Sequence, residues 1–197
     1  PGWDRVTTNM INAGIYILEP EVLKYIPQAA KSMFEHQVFP ALLEKGRSVL
    51  AYPSTAYWID IGTPEKYLQV NHDLLSVWEN DEQSVRAEGE VSIDSTAIVE
   101  GPVLIGEGCV VGREARVKGP AVLGPDCEVG DGAVIEGAVV WHNVKVGRKS
   151  YLRNCVVCSR SRILDASQVP DGCVVGDSVS VDGGEVLAPG VALWPEA

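Results

Sequence analysis

Residues 57–64, YWIDIGTP, set one acid between two apolar residues, close behind a tryptophan and just ahead of a Gly-Thr-Pro turn. A carboxylate at the end of a strand can hold Mg²⁺, which takes one or two carboxylates and leaves its other positions to substrate phosphates. Strand ends in α/β sheets are also where ligands bind. The same residue would serve equally as a polar cap on the turn, so from the residues alone Asp60 fits either role. Three further features could do chemistry. His142 is the one histidine after residue 90 and a candidate base, or a surface residue on a corner. Cys155 and Cys158 have C-x-x-C spacing, but no second pair or nearby histidine completes a zinc set. Lys145, Arg148, Lys149, Arg153, Arg160 and Arg162 form a basic run with no acid between Glu136 and Asp165. That run could hold a phosphate-bearing effector or a partner's carboxylates, or be a solvated face.

The chain that must position these groups has 197 residues, enough for one or two domains with a sizeable core. Its net charge of -11 argues against a general nucleic-acid binder and favours a soluble protein. No apolar run approaches the roughly 20 residues of a membrane span, and no secretory signal opens the sequence. Five cysteines, an odd count, point to reduced thiols in a cytoplasm.

From residue 93 a bulky apolar residue recurs every sixth position: Ile93, Val99, Ile105, Val111, Val117, Leu123, Val129, Ile135, Trp141. After a step of five the series continues as Val146, Leu152 and Cys158. After another it runs Ile163, Val169, Val175, Val181, Leu187 and Leu193. This period predicts a triangular parallel β-helix of about eighteen residues per coil, with the anchors inward. A small residue four positions after most anchors, from Ala97 through Cys109 and Cys127 to Val139, takes a second inward slot. By the same logic Cys109, Cys127 and Cys173 are buried apolar thiols. Gly106, Gly112, Gly124, Gly130, Gly147 and Gly176 follow anchors and are read as turn positions needing positive φ.

The first part reads as α/β. INAGIYIL (11–18) is expected to be a strand, and SVLAYP (48–53) and YWIDI (57–61) a strand pair. Ser32 and Glu35 have capping-box spacing before a helix with Val38, Phe39, Leu42 and Leu43 on one face, which Gly46 stops. Thr63 caps and Pro64 opens a second helix with Tyr67, Leu68, Leu74, Leu75 and Trp78 on its apolar face. The expected organisation is an α/β portion over 1–78, a charged linker over 79–90 and a β-helix with a C-terminal tail over 91–197.

TNMINAGIYILEPEVLKYIP, FEHQVFPALLEKG and YWIDIGTPEKYLQVNHDLL, in this order before hexapeptide repeats, resemble nucleotide-sugar pyrophosphorylases, nearest to mannose-1-phosphate guanylyltransferases. The tail VDGGEVLAPG is also similar to that family, and the repeats resemble the left-handed β-helix of hexapeptide-repeat proteins. The resemblance implies a remnant of a Rossmann-like nucleotidyltransferase domain followed by a left-handed β-helix. It implies an enzyme in which a sugar 1-phosphate attacks the α-phosphate of a nucleoside triphosphate with loss of pyrophosphate. It makes Asp60 a Mg²⁺ ligand, places Trp58 beside the sugar, lines the sugar pocket with Asn12 and Gly14, and has Tyr16 support or contact the sugar phosphate. It also implies assembly into a homo-oligomer through the β-helix. The family's Gly-x-Gly-Thr-Arg-Leu triphosphate loop does not occur in this sequence, nor do its second metal-binding aspartate and its Glu-Lys pair. The chain is therefore expected to be the C-terminal part of such an enzyme and inactive alone. The rival expectations are a hexapeptide-repeat acyltransferase using His142, and a non-catalytic oligomerisation module.

Overall fold

A computed structural model describes residues 10–27, 31–78 and 84–195. The chain forms two compact units, Pro1–Trp58 and Ile59–Ala197.

In the first unit, a 3-10 turn spans Pro20–Tyr25, and a π-helical turn over Phe34–Val38 leads into helix α1, Phe39–Glu44. Gly46 ends α1 with φ +66, while Arg47 N–H donates to Leu42 O and Gly46 N–H to Leu43 O, both at 2.9 Å. That is the left-handed C-terminal cap the glycine was read to provide. The expected capping box does not form. Met33, not Ser32, precedes the first turn, and the Ser32 hydroxyl is buried without a hydrogen-bond partner among the described residues. Glu35 is instead drawn to the Tyr16 phenol. Residues 11–18, 48–53 and 57–61 form no strands, contrary to the sequence reading. A strand is defined by its ladder, and the described residues supply no partner. Ile15, Ile17, Leu50 and Tyr52 are accordingly exposed.

The second unit begins with helix α2, Pro64–Ser76, where Thr63 Oγ1 accepts from Lys66 N–H as its sequence promised. Parallel strands of two or three residues then build three faces. Face 1 has seven strands, from Val85–Ala87 to Ala192–Leu193. Face 2 has six, from Ser92–Ile93 to Ser180–Val181, and face 3 five, from Ile98–Glu100 to Gln168–Val169. The first strand, Val85–Ala87, pairs with Val103–Ile105, so coiling begins inside the stretch assigned to the linker.

The interior is two stacked series. Ile105, Leu123, Val140, Val157, Val175 and Leu193 lie one above another on face 1. Two expected anchors are therefore wrong by one residue: Val140 points inward instead of Trp141, and Val157 instead of Cys158. The small slot likewise holds Ala138, not Val139. The shortened steps fall one hexad earlier than the periodicity suggested. An indole carries an N–H that a dry interior cannot satisfy, and Trp141 turns outward, where its Nε1 donates to the Tyr67 hydroxyl at 3.1 Å.

Cys109, Cys127 and Cys173 are buried in the small slot as expected, joined by Cys155 and by Ser150, Ser161 and Ser167. The hydrogens of Cys109, Cys127, Cys173 and the three serines meet backbone carbonyls of the neighbouring coil. Cys127 Sγ reaches Trp141 O at 2.8 Å, Ser150 Oγ reaches Leu164 O at 2.8 Å, and Ser161 Oγ reaches Gly176 O at 2.6 Å. The left-handed backbone sits one residue before this slot, at Gly108, Glu114, Asp126, Asn143, Lys149, Asn154 and Arg160 among others. The glycines after the anchors are not the positive-φ positions they were taken for. A Cβ at Gly124 would lie 2.8 Å from the carbonyl carbon of Trp141, and one at Gly147 would lie 2.5 Å from Asp165 N. Close approach between coils selects glycine there.

The outer surfaces of the faces differ. On face 1 the outward row is aliphatic: Leu104, Val122, Val139, Val156 and Val174. Helix α2 lies against this side, burying Val70 and Leu75, and His72 Nε2 lies 2.8 Å from Gly137 O. Val70, absent from the expected helix face, is inward, while Leu74 is 59% exposed. Faces 2 and 3 carry mostly polar outward rows, with Val110 on face 2 and Ile98 and Val134 on face 3 as apolar members.

Candidate functional site

Three of the expected site residues gather in the first unit. Asn12 Nδ2 donates to the Tyr16 hydroxyl at 2.6 Å, and Asn12 Oδ1 accepts from Gly14 N–H at 2.9 Å. Gly14 has φ +71, which lets the chain turn back within two residues. The Tyr16 hydroxyl donates to Glu35 Oε1 at 2.5 Å, and Asn12 Nδ2 reaches the same oxygen at 3.3 Å. The Tyr16 ring is held edge-on to Phe39 at 5.0 Å and tilted against Phe34 at 5.5 Å. Packing on one side and hydrogen bonds on the other thus fix the phenol.

Glu35 completes the cluster and was not among the expected site residues. Its spacing from Ser32 pointed to a helix cap, and nothing local reveals a partner nineteen residues away. The bond between them pushes the Tyr16 phenol up from its ordinary pKa, since ionising it would set a second negative charge against Glu35. The same bond holds the Glu35 carboxyl below the usual range. The arrangement is an anionic, hydrogen-bonding platform backed by aromatic rings, and such a surface accepts from hydroxyl donors.

Trp58, at the end of the first unit, is 42% exposed. Asp60, in the second unit, is exposed and carries no hydrogen bond or ion pair among the described residues. It does not cap the turn, because Thr63 performs that task. Its carboxylate hangs beside Gly62, where a Cβ would stand 3.8 Å from Oδ1. No cluster of three or more His, Cys, Asp or Glu side chains that could hold a metal occurs among the described residues. Asp60 therefore offers a divalent cation one free carboxylate and no cage, a donor set that fits Mg²⁺ shared with substrate phosphates.

The basic run is dispersed and largely neutralised. Arg148 pairs with Asp165 at 2.6 Å and Lys145 with Glu128 at 2.7 Å, while Arg153 pairs with Asp171 and Arg160 with Asp177. Each partner lies about one coil away, so the acids missing in sequence are supplied by the neighbouring turn. His142 Nδ1 is 2.9 Å from the buried Ser159 Oγ and is held at a coil corner.

Residues 82–187, more than half of the chain, match the family described as EIF2B subunit epsilon LbH domain, the left-handed β-helix. The chain belongs to this family. Residues 4–77, ahead of the LbH segment, match the Nucleotidyl transferase family. Among similar proteins, the mannose-1-phosphate guanylyltransferase catalytic subunit beta of Drosophila pseudoobscura pseudoobscura is 37% identical over 91% of this chain and 48% of its own. The mannose-1-phosphate guanyltransferase of Schizosaccharomyces pombe is 35% identical over 91% of this chain and 49% of its own. The glucose-1-phosphate adenylyltransferase of Bacillus cytotoxicus is 29% identical over 91% of this chain and 46% of its own. The LbH segment and the nucleotidyl transferase segment thus recur together in sugar-1-phosphate nucleotidyltransferases, and the chain spans about half the length of these relatives. No helix among the described residues is long and apolar enough to cross a membrane.

Proposed function

We propose that the chain acts in the cytoplasm as part of a sugar-1-phosphate nucleotidyltransferase that makes a nucleotide sugar from a nucleoside triphosphate and releases pyrophosphate. The observation that carries this reading is collinearity. One alignment at 37% identity runs across 91% of the chain, through both the nucleotidyl transferase segment and the LbH segment. In this reaction an oxygen of the sugar 1-phosphate forms a bond to the α-phosphorus, and the bond from that phosphorus to the β-bridging oxygen breaks. Catalysis of such a transfer is mostly positioning and charge neutralisation.

Asn12, Gly14, Tyr16 and Trp58 form the sugar-binding surface. With Glu35 at its centre, the cluster favours sugar hydroxyls and disfavours the phosphate, because an anion beside Glu35 would meet like charge. This moves Tyr16 from the phosphate, where the resemblance put it, to the sugar ring. Asp60 is the chain's own ligand for Mg²⁺. The ion, when bound, would neutralise charge on the triphosphate and the attacking phosphate. Mannose 1-phosphate and GTP are the proposed pair, since relatives so named are 35–37% identical over 91% of this chain, against 29–32% over 91–92% for glucose-1-phosphate adenylyltransferases. Pyrophosphate release by this chain joined to a complete nucleotidyltransferase domain tests the reading, with glucose 1-phosphate and ATP as the competing pair. Faster release with the latter overturns the substrate choice, and none with either overturns the function.

A further inference from the structure

The outer surface of face 2 repeats its chemistry in a self-complementary order. Its outward row, one residue per coil, reads Ser92, Val110, Glu128, Lys145, Arg162, Ser180. A second row reads Gly112, Gly130, Gly147, Leu164, and the corner row beside it reads Arg113, Asp131, Arg148, Asp165. A shallow groove of about 460 Å³ runs along these rows. Unlike face 1, this face has no element of its own unit packed over it among the described residues, and Val110 and Leu164 stay 46% and 43% exposed.

We propose that face 2 binds face 2 of a second copy of this chain, antiparallel, about a two-fold axis between the coils of Glu128 and Lys145. The same axis solves all three rows. Glu128 meets the partner's Lys145, and Asp131 meets the partner's Arg148. Arg113 meets the partner's Asp165. Leu164, the one large side chain in its row, lies over the partner's Gly112, and Gly130 over the partner's Gly147. Ser92 faces the partner's Ser180, and Val110 lies along the stem of the partner's Arg162. In a parallel arrangement these charges lose their partners. At the far ends Asp94 faces the partner's Asp182, so the contact is centred on the four inner coils. Glu128–Lys145, Arg113–Asp131 and Arg148–Asp165 already pair within one copy. Docking turns each pair into a four-charge network, which fixes register and orientation more than it adds affinity.

This proposal rests on assembly of the LbH segment and not on nucleotidyl transfer, so it is tested on the 197-residue chain itself. Sedimentation at tens of micromolar, as an order of magnitude, is expected to give a dimer. Lys145→Glu and Leu164→Glu are each expected to weaken it tenfold or more, with unchanged circular dichroism. Glu128→Lys combined with Lys145→Glu restores it, because the row keeps its order of opposite signs. Cysteines placed at both Ser92 and Ser180 are expected to be cross-linked across the dimer by a short bismaleimide, since facing sheets stand about 10 Å apart, too far for a disulfide. Either alone leaves it unlinked, since equal positions stand about 24 Å apart across the axis at 4.8 Å per coil. The cysteine pair also reports independently if a charge or leucine variant misfolds. A dimer indifferent to these changes and not cross-linked overturns the choice of face while sparing assembly. A monomeric wild-type chain overturns both.

Discussion

At the residue scale, the site turns on acids whose roles sequence reads unequally. Asp60, an acid between Ile59 and Ile61, could be read from sequence either as a turn cap or as a metal ligand, and the structure gives the capping bond to Thr63. Glu35 was not visible, because its partner Tyr16 is brought to it by folding, through packing on Phe34 and Phe39. Trp141 was misread for a related reason. In the run Ala138-Val139-Val140-Trp141 every residue is apolar, and hydropathy does not say which points inward. The hydrogen bond from Trp141 to Tyr67 decides it. If Glu35 organises the sugar surface, Glu35→Gln returns the Tyr16 phenol toward its ordinary pKa, readable by NMR titration of labelled tyrosine. In the complete enzyme it raises KM for sugar 1-phosphate by about 10-fold or more, the cost of a charge-assisted hydrogen bond. An unmoved Tyr16 titration would show that the bond does not govern the phenol.

At the element scale, the β-helix was legible through its period, which survives because each coil must refill the same interior slots. The cause of each glycine was not, since positive φ and close coil approach select the same residue. The strands expected in the first unit illustrate a different limit: Ile15 and Ile17 have strand propensity, yet a ladder needs a second segment. Two measurements bear on the β-helix. Cys109, Cys127, Cys155 and Cys173 are buried, and burial pushes the Cys155 thiol well up. They should resist iodoacetamide in the folded chain, while Cys158, half-buried, reacts first. Rapid labelling of all five would contradict the register described. The second concerns acid. Arg148 beside Asp165, and Arg153 with Asn154 beside Asp171, hold those carboxyls below their usual range. A backbone N–H and the guanidinium of Arg113 do the same for Asp131. A depressed folded-state pKa contributes stability that is present above the unfolded value, near 4, and is lost as pH falls through the folded value. The melting temperature should therefore fall as pH drops below about 4, less steeply in Asp165→Asn. Equal slopes would mean the coil-to-coil pairs contribute nothing measurable.

At the scale of the whole molecule, helix α2 joins the turn bearing Asp60 to the β-helix, since its cap follows Asp60 by three residues and its inner side rests on face 1. That placement was half legible: the cap and length of α2 are local, but its docking surface, the aliphatic outer row of face 1, emerges only when the coils are stacked in register. One continuous alignment to sugar-1-phosphate nucleotidyltransferases runs through both units. The most direct test is pyrophosphate release by Asp60→Asn in a chain carrying a complete nucleotidyltransferase domain, with melting temperature measured alongside. Loss of a preorganised electrostatic group is expected to lower turnover of mannose 1-phosphate with GTP by about 10²–10³-fold, with melting unchanged because the exposed carboxylate has no partner among the described residues to lose. The 197 residues alone, which contain no triphosphate loop, should release none. Full activity in Asp60→Asn, or turnover by the 197-residue chain, would contradict the account.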